Sequence, residues 1–155
     1  MRALTLALAT GFGAGYSPRA PGTVGTLMGV LLYLPLARLN HWGDPGGFAL
    51  YLSILAALCA LGTWISGRAE KIMGEKDCQK IVIDEIAGYF VTMLLVPSGW
   101  PWIVAGFAMF RLFDITKPPP IRYLQSLGGG IGVMIDDVLA GILACLVLHL
   151  ANIVL

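Results

Sequence analysis

The chain has 155 residues, 57% hydrophobic and 12% charged, with a formal net charge of +1 and a mean hydropathy of +0.81. That balance excludes an ordinary soluble domain and is the composition of a membrane protein. It offers no basic stripe for nucleic acid, and no polar or low-complexity linker divides it, so a single domain over residues 1–155 with no nucleic-acid partner is expected.

In chain order, "MRALTLALAT" places one Arg before a short apolar run with no clear small-x-small cleavage site after it. The segment therefore reads as a short helix at the membrane interface, not a leader. "GFGAGYSPRAPGTVGT", residues 11–26, lacks the third glycine of a dinucleotide fingerprint and no strand precedes it. It is either a plain loop or an anion site. The site would be built from backbone N–H groups, the hydroxyls of Ser17 and Thr23, Arg19, and the N-terminus of a helix starting near Thr23.

Apolar stretches at 24–39, 48–66, 81–96, 102–116 and 133–155 predict helices. The fold class is therefore all-α, a compact helical bundle integral to a membrane, with about four to five apolar helices plus the short N-terminal one. Between the third and fourth stretches, "PSGWPW", residues 97–102, has the Pro, Gly and Trp of a tight turn at an interface, and predicts a helical hairpin. The third stretch would extend roughly 24 Å, a little short of a bilayer's apolar layer. Arg68, Lys71, Lys76 and Lys80 fill one loop and Lys117 and Arg122 another, so the positive-inside rule makes both cytoplasmic. The loops at 40–47 and 97–101 hold no Lys or Arg and would face the other side, with Arg38 counting mildly against this. Cys59, Cys78 and Cys145 lack C-x-x-C spacing and read as free thiols.

Acids in such a chain call for a reason. Asp84 and Glu85 fall at the entry of the third apolar helix, Asp114 at the exit of the fourth, and Asp136 and Asp137 at the entry of the fifth. The hairpin brings all five to one membrane face, where mutual repulsion calls for a cation. Carboxylate oxygens without His or Cys suit Mg²⁺. In "FRLFDITKPPPIRY", Arg111, Asp114 and Lys117 recur every third residue, so the two cations could grip a phosphate beside that metal. The bland alternative is a set of helix-end charges and buried ion pairs. Asp77 is a candidate cap at the edge of the site.

Together, "GFGAGYSPRAPGTVGT", "DCQKIVIDEIAGYF", "FRLFDITKPPPIR" and "GGGIGVMIDDVLAG" resemble the phosphatidylglycerophosphatase A family over about residues 10–145. The resemblance implies a bacterial inner-membrane, Mg²⁺-dependent phosphatase. It would hydrolyse phosphatidylglycerophosphate, a phospholipid of the cytoplasmic leaflet, to phosphatidylglycerol and inorganic phosphate. The family pattern falls on Ser17, Pro18, Pro21, Gly22 and Thr23, on Asp77, Asp84 and Glu85, on Arg111, Asp114, Lys117 and Pro118, and on Gly130, Asp136 and Asp137. Cys78 departs from it, since a His often follows the first Asp. On that reading Asp84, Glu85, Asp114, Asp136 and Asp137 are the catalytic and metal-binding set. Arg111, Lys117, Ser17, Arg19 and Thr23 hold the substrate phosphate. A small ion- or proton-coupled transporter is the rival from another class and would spread its acids through the membrane depth. A structural subunit of a larger complex is a second rival. The oligomeric state is left open.

Overall fold

The computed structural model describes residues 1–76, 78–119, 121 and 128–154, and among these residues every regular element is helical. Helix α1 (Arg2–Ala9) lays buried Thr5 and Ala9 inward, and the backbone N–H of Val82 donates to its Ala9 carbonyl. Helix α2 (Pro21–Tyr33) continues into a 3₁₀ segment, Leu34–Leu39. Helix α3 (Pro45–Met73) starts at Asp44, whose side chain accepts from the Gly47 N–H, and stops at left-handed Gly74. Helix α4 is Ile83–Thr92, α5 is Trp100–Thr116 and α6 is Gly130–Val154.

Among the described residues, three segments are long and apolar enough to cross a membrane: Pro21–Leu39, Pro45–Met73 and Gly130–Val154, with mean hydropathies of 1.4, 2.0 and 2.3. Their outer faces expose Leu31, Leu61, Trp64, Leu150 and Ile153, the pattern of side chains that meet lipid. The chain is a multi-pass membrane bundle.

Helix α4 is the exception. Its ten residues rise about 15 Å, half an apolar layer, where the hydropathy of residues 81–96 predicts a longer helix. All but Glu85 are buried, and α2, α3, α5 and α6 surround it. Glycines let these neighbours close in. A Cβ on Gly25 would come within 2.6 Å of Val82, and one on Gly29 within 3.2 Å of the Ile86 Cα. Gly25 and Gly29 thus form a G-x-x-x-G face that brings α2 against the start of α4.

A helix that ends inside an apolar layer must find partners for its last carbonyls. Residues from three other elements supply them. Asn40 donates to the Met93 carbonyl and accepts from the Leu95 N–H at 2.9 Å, while also donating to the Tyr33 hydroxyl. His149 Nε2 and Cys145 Sγ both meet the Leu94 carbonyl, at 2.9 and 3.4 Å, and the Tyr51 hydroxyl donates to the Phe90 carbonyl at 2.7 Å. These side chains end α4 at Thr92, and left-handed Leu95 then turns the chain toward α5.

Replacing Asn40, 2% exposed, with Leu strands a buried backbone donor and a buried acceptor. The expected loss is about 2–5 kcal/mol of stability, read as a lower denaturant midpoint in detergent. An unchanged midpoint would mean that the turn after α4 does not depend on this side chain.

Candidate functional site

Four helix ends converge at the basic end of the bundle. The first turn of α2 brings Ala20, Pro21 and Gly22; the first turn of α4 brings Asp84 and Glu85; the last turn of α5 and its cap bring Arg111, Asp114 and Lys117; and α6 brings Asp136 and Asp137. Together they line a cavity of about 420 Å³. Asp136 and Asp137 are not at the helix entry: α6 begins at Gly130, so they lie more than a turn inside it.

Two glycines set the depth of the acids. Gly88 follows Asp84 by one turn, and Gly141 follows Asp137 by one turn. A Cβ on Gly141 would lie 2.5 Å from the Gly88 carbonyl, so α4 and α6 touch backbone to backbone just below the acids. That contact brings Asp137 beside Asp84 and Glu85. One carboxylate oxygen from each of the three lies within 4.8 Å of the others.

The five acids divide into two kinds. Asp114 pairs with Arg111 through the guanidinium Nη1, and Asp136 accepts from Lys117 Nζ while its other oxygen accepts from the Asp137 N–H at 3.1 Å. The remaining three have no such cation among the described residues. Asp84 Oδ1, Glu85 Oε2 and Asp137 Oδ2 are each buried without a hydrogen-bond partner, and Arg111 Nε is likewise unpartnered. Spacing alone does not divide the five acids; here two of them hold the basic side chains, and the other three converge as a group that could hold a metal ion.

Burial pushes the Asp84 carboxyl well above the usual carboxylate range, with the charge of Glu85 adding to it. Burial, and then the charge of Asp137, raises Glu85 to about 8. Both lie in the first turn of α4, which is too short to cross the membrane. With no cation present, a proton would be favoured on Glu85 at neutral pH. Lys117 shows the opposite balance: burial alone would lower it, but the hydrogen bond and charge of Asp136, with Asp137 and Asp114 beyond, raise it. Lys117 reaches Asp136 from a left-handed cap, φ 40, just before Pro118.

The donor set fits a hard divalent cation. Three convergent carboxylates with unpartnered buried oxygens, and no His or Cys among the three, favour an ion that takes oxygen ligands. Gly22 leaves the room beside it. A Cβ there would fall 2.4 Å from Glu85 Oε1 and 3.0 Å from Arg111 Nη1.

The first loop contributes differently from its motif. Ser17 borders an adjoining cavity of about 520 Å³ that shares Pro21, Cys78 and Gln79 with the acidic one, and its hydroxyl donates to the Arg19 carbonyl at 2.9 Å. Arg19 is exposed, Thr23 is half-buried, and neither lines either cavity. Helix α2 starts at Pro21, not at Thr23, so the loop meets the site through Pro21 and Gly22. Asp77 lies outside the described residues. Gln79 and Ile115 line the acidic cavity without having been singled out by any motif. The Gly88–Gly141 contact was legible in principle, because "DEIAG" and "DVLAG" each set a glycine one turn after an acid.

The Phosphatidylglycerophosphatase A (PgpA) family profile matches residues 7–152. Three relatives align over most of their length. A Haemophilus influenzae phosphatidylglycerophosphatase A is 46% identical over 90% of this chain and 83% of its own. An Escherichia coli phosphatidylglycerophosphatase A is 37% identical over 92% and 80%. A Bacteroides thetaiotaomicron protein, named provisionally as a phosphatidylinositol-3-phosphatase, is 38% identical over 96% and 94%. No solved structure matches. With nearly the whole chain covered and the acidic, basic and glycine positions gathered at one end of a membrane bundle, the protein belongs to the phosphatidylglycerophosphatase A family.

Proposed function

We propose that this lipid phosphatase hydrolyses the terminal phosphomonoester of phosphatidylglycerophosphate, releasing inorganic phosphate and phosphatidylglycerol, at the cytoplasmic face of the bacterial inner membrane. Family membership carries the reaction class. The observation that supports the site is three carboxylates, each with a buried oxygen lacking a partner, beside two cations in one cavity. The cytoplasmic assignment rests on Arg68, Lys71, Lys76, Lys80, Arg111 and Lys117 falling at that end. A proton or ion relay would distribute its acids along the membrane depth, whereas these acids share one cavity.

Mg²⁺ would be held by Asp84, Glu85 and Asp137, and when bound it supplies positive charge to the phosphoryl oxygens and acidifies a water. The chain's own residues do the rest. Arg111, with its planar fork, and Lys117, as a point charge, face the phosphate and offset the charge that builds at phosphorus. Asp114 and Asp136 position those two cations through their ion pairs. Ser17, Arg19 and Thr23 lie further out and would meet the rest of the headgroup. Buried walls of α4 and α6 keep bulk water from the inner side of the cavity. One carboxylate then either takes the proton of an attacking water or attacks phosphorus itself, forming an aspartyl phosphate that water hydrolyses. Trapping, or failing to trap, a labelled phosphoenzyme on rapid quench separates the two routes.

The test is phosphate release from purified protein in detergent. Chelating divalent ions should abolish turnover, and Mg²⁺ should restore it. Asp84→Asn, Glu85→Gln and Asp137→Asn are each expected to lower kcat by about 10²-fold or more. Asp114→Asn and Asp136→Asn, acting through Arg111 and Lys117, should cost roughly 10- to 100-fold. Activity that survives both chelation and Asp137→Asn would refute the assignment. Phosphatidylinositol 3-phosphate, assayed in parallel, reports whether the headgroup preference follows the Bacteroides relative instead.

Gly22→Ala gives a narrower check. The new methyl would displace only the far ends of two flexible side chains, so the fold should persist while activity falls about tenfold or more. Wild-type turnover in this variant would mean that the space over Gly22 is not used.

A further inference from the structure

A second cavity, of about 750 Å³, opens across the N-terminus of α6 from the acidic site and shares no lining residue with it. Its walls come from the start of α1, the C-terminal part of α3 and the glycines that lead into α6. Arg2, Arg68 and Lys71 border it, all exposed. Glu70 is the acid on its wall among the described residues; it is buried and has an interaction partner. The Arg68 guanidinium lies 4.8 Å from the centroid of the Trp64 ring, and Trp64 and Ile131 expose 57% and 59% of their surface at the rim.

Scattered basic residues at the inner end of membrane helices are ordinary. Here three of them border one recess wide enough for a headgroup, with an interfacial tryptophan and an apolar rim where acyl chains would lie. We propose that this recess binds the phosphodiester headgroup of an anionic phospholipid, separately from the phosphomonoester substrate. Arg68 and Arg2 offer planar donors suited to phosphate and Lys71 adds a point charge. The apolar rim favours a lipid over a free anion. The wall also reaches the catalytic helix. A Cβ on Gly130 would collide with the Thr63 carbonyl, so α6 is seated directly on α3 at this point, and Asp136 and Asp137 follow on the same helix.

Native mass spectrometry of the delipidated full chain in detergent, resupplied with phosphatidylglycerol or phosphatidylcholine, tests this without turnover, so its outcome is independent of the substrate assignment. Wild type and Asp137→Asn should both retain phosphatidylglycerol in preference to phosphatidylcholine. Arg68→Ala/Lys71→Ala should weaken that retention roughly thirtyfold, the sum of two interfacial cations. The same double variant should keep Mg²⁺-dependent phosphate release in detergent with the substrate as the sole lipid, which reports its fold. Lys71→Glu, at an exposed position, should repeat the loss if the double variant does not fold. Equal retention by variant and wild type, equal retention of the two lipids, or displacement of the lipid by inorganic phosphate would each overturn the proposal.

Discussion

Like charges crowded into a buried pocket repel, and the rest of this molecule is arranged around that constraint. Asp84, Glu85 and Asp137 bring carboxylate oxygens within 4.8 Å of one another, each with a buried oxygen lacking a partner. No basic side chain among the described residues forms an ion pair with these three. The arrangement is stable only with protons or a cation among the three groups. In the proposed mechanism a cation held this way would leave Arg111 and Lys117, paired with Asp114 and Asp136 in the same cavity, to meet the phosphate.

The half-length helix α4 makes the crowding possible. Because Tyr51 meets the Phe90 carbonyl in its last turn, and Asn40, Cys145 and His149 meet the Met93 and Leu94 carbonyls in the turn that follows, it can end inside the bundle and still hold its N-terminus at the cavity. Its small residues then do two jobs. Gly25 and Gly29 of α2 press against one flank, and Gly88 meets Gly141 of α6 on another, so three helices approach closely at the depth where the acids lie. The same close packing at Gly130 ties α6 to α3 and links the acidic cavity to the basic recess beyond it.

Much of the architecture was legible in the apolar runs. The all-helical class, the short N-terminal helix α1, the hairpin turn near Pro97–Trp102 and the gathering of acids at the basic end follow from hydropathy, prolines and the distribution of Lys and Arg. The early end of α4 was not, because its cause lies in residues about 50 positions away, Asn40 before it and Cys145 and His149 after it. Nor could spacing alone divide the five acids. Arg111 and Asp114 are neighbours on one helix, so their pairing could be read, but Lys117 and Asp136 lie 19 positions apart, at the cap of α5 and within α6. The first loop meets the acidic cavity through Pro21 and the bare Cα of Gly22, with Ser17, Arg19 and Thr23 outside its lining, a placement that the loop's motif alone does not specify.

The most direct measurement is the thermal stability of wild type and Asp137→Asn in detergent, with chelator and across a Mg²⁺ titration. Repulsion relieved by a cation predicts that Mg²⁺ raises the wild-type Tm. It also predicts that Asp137→Asn is the more stable of the two in chelator at pH above about 8, and that this variant barely responds to Mg²⁺. A wild-type Tm indifferent to Mg²⁺, or a variant that loses stability without gaining indifference, would contradict the account.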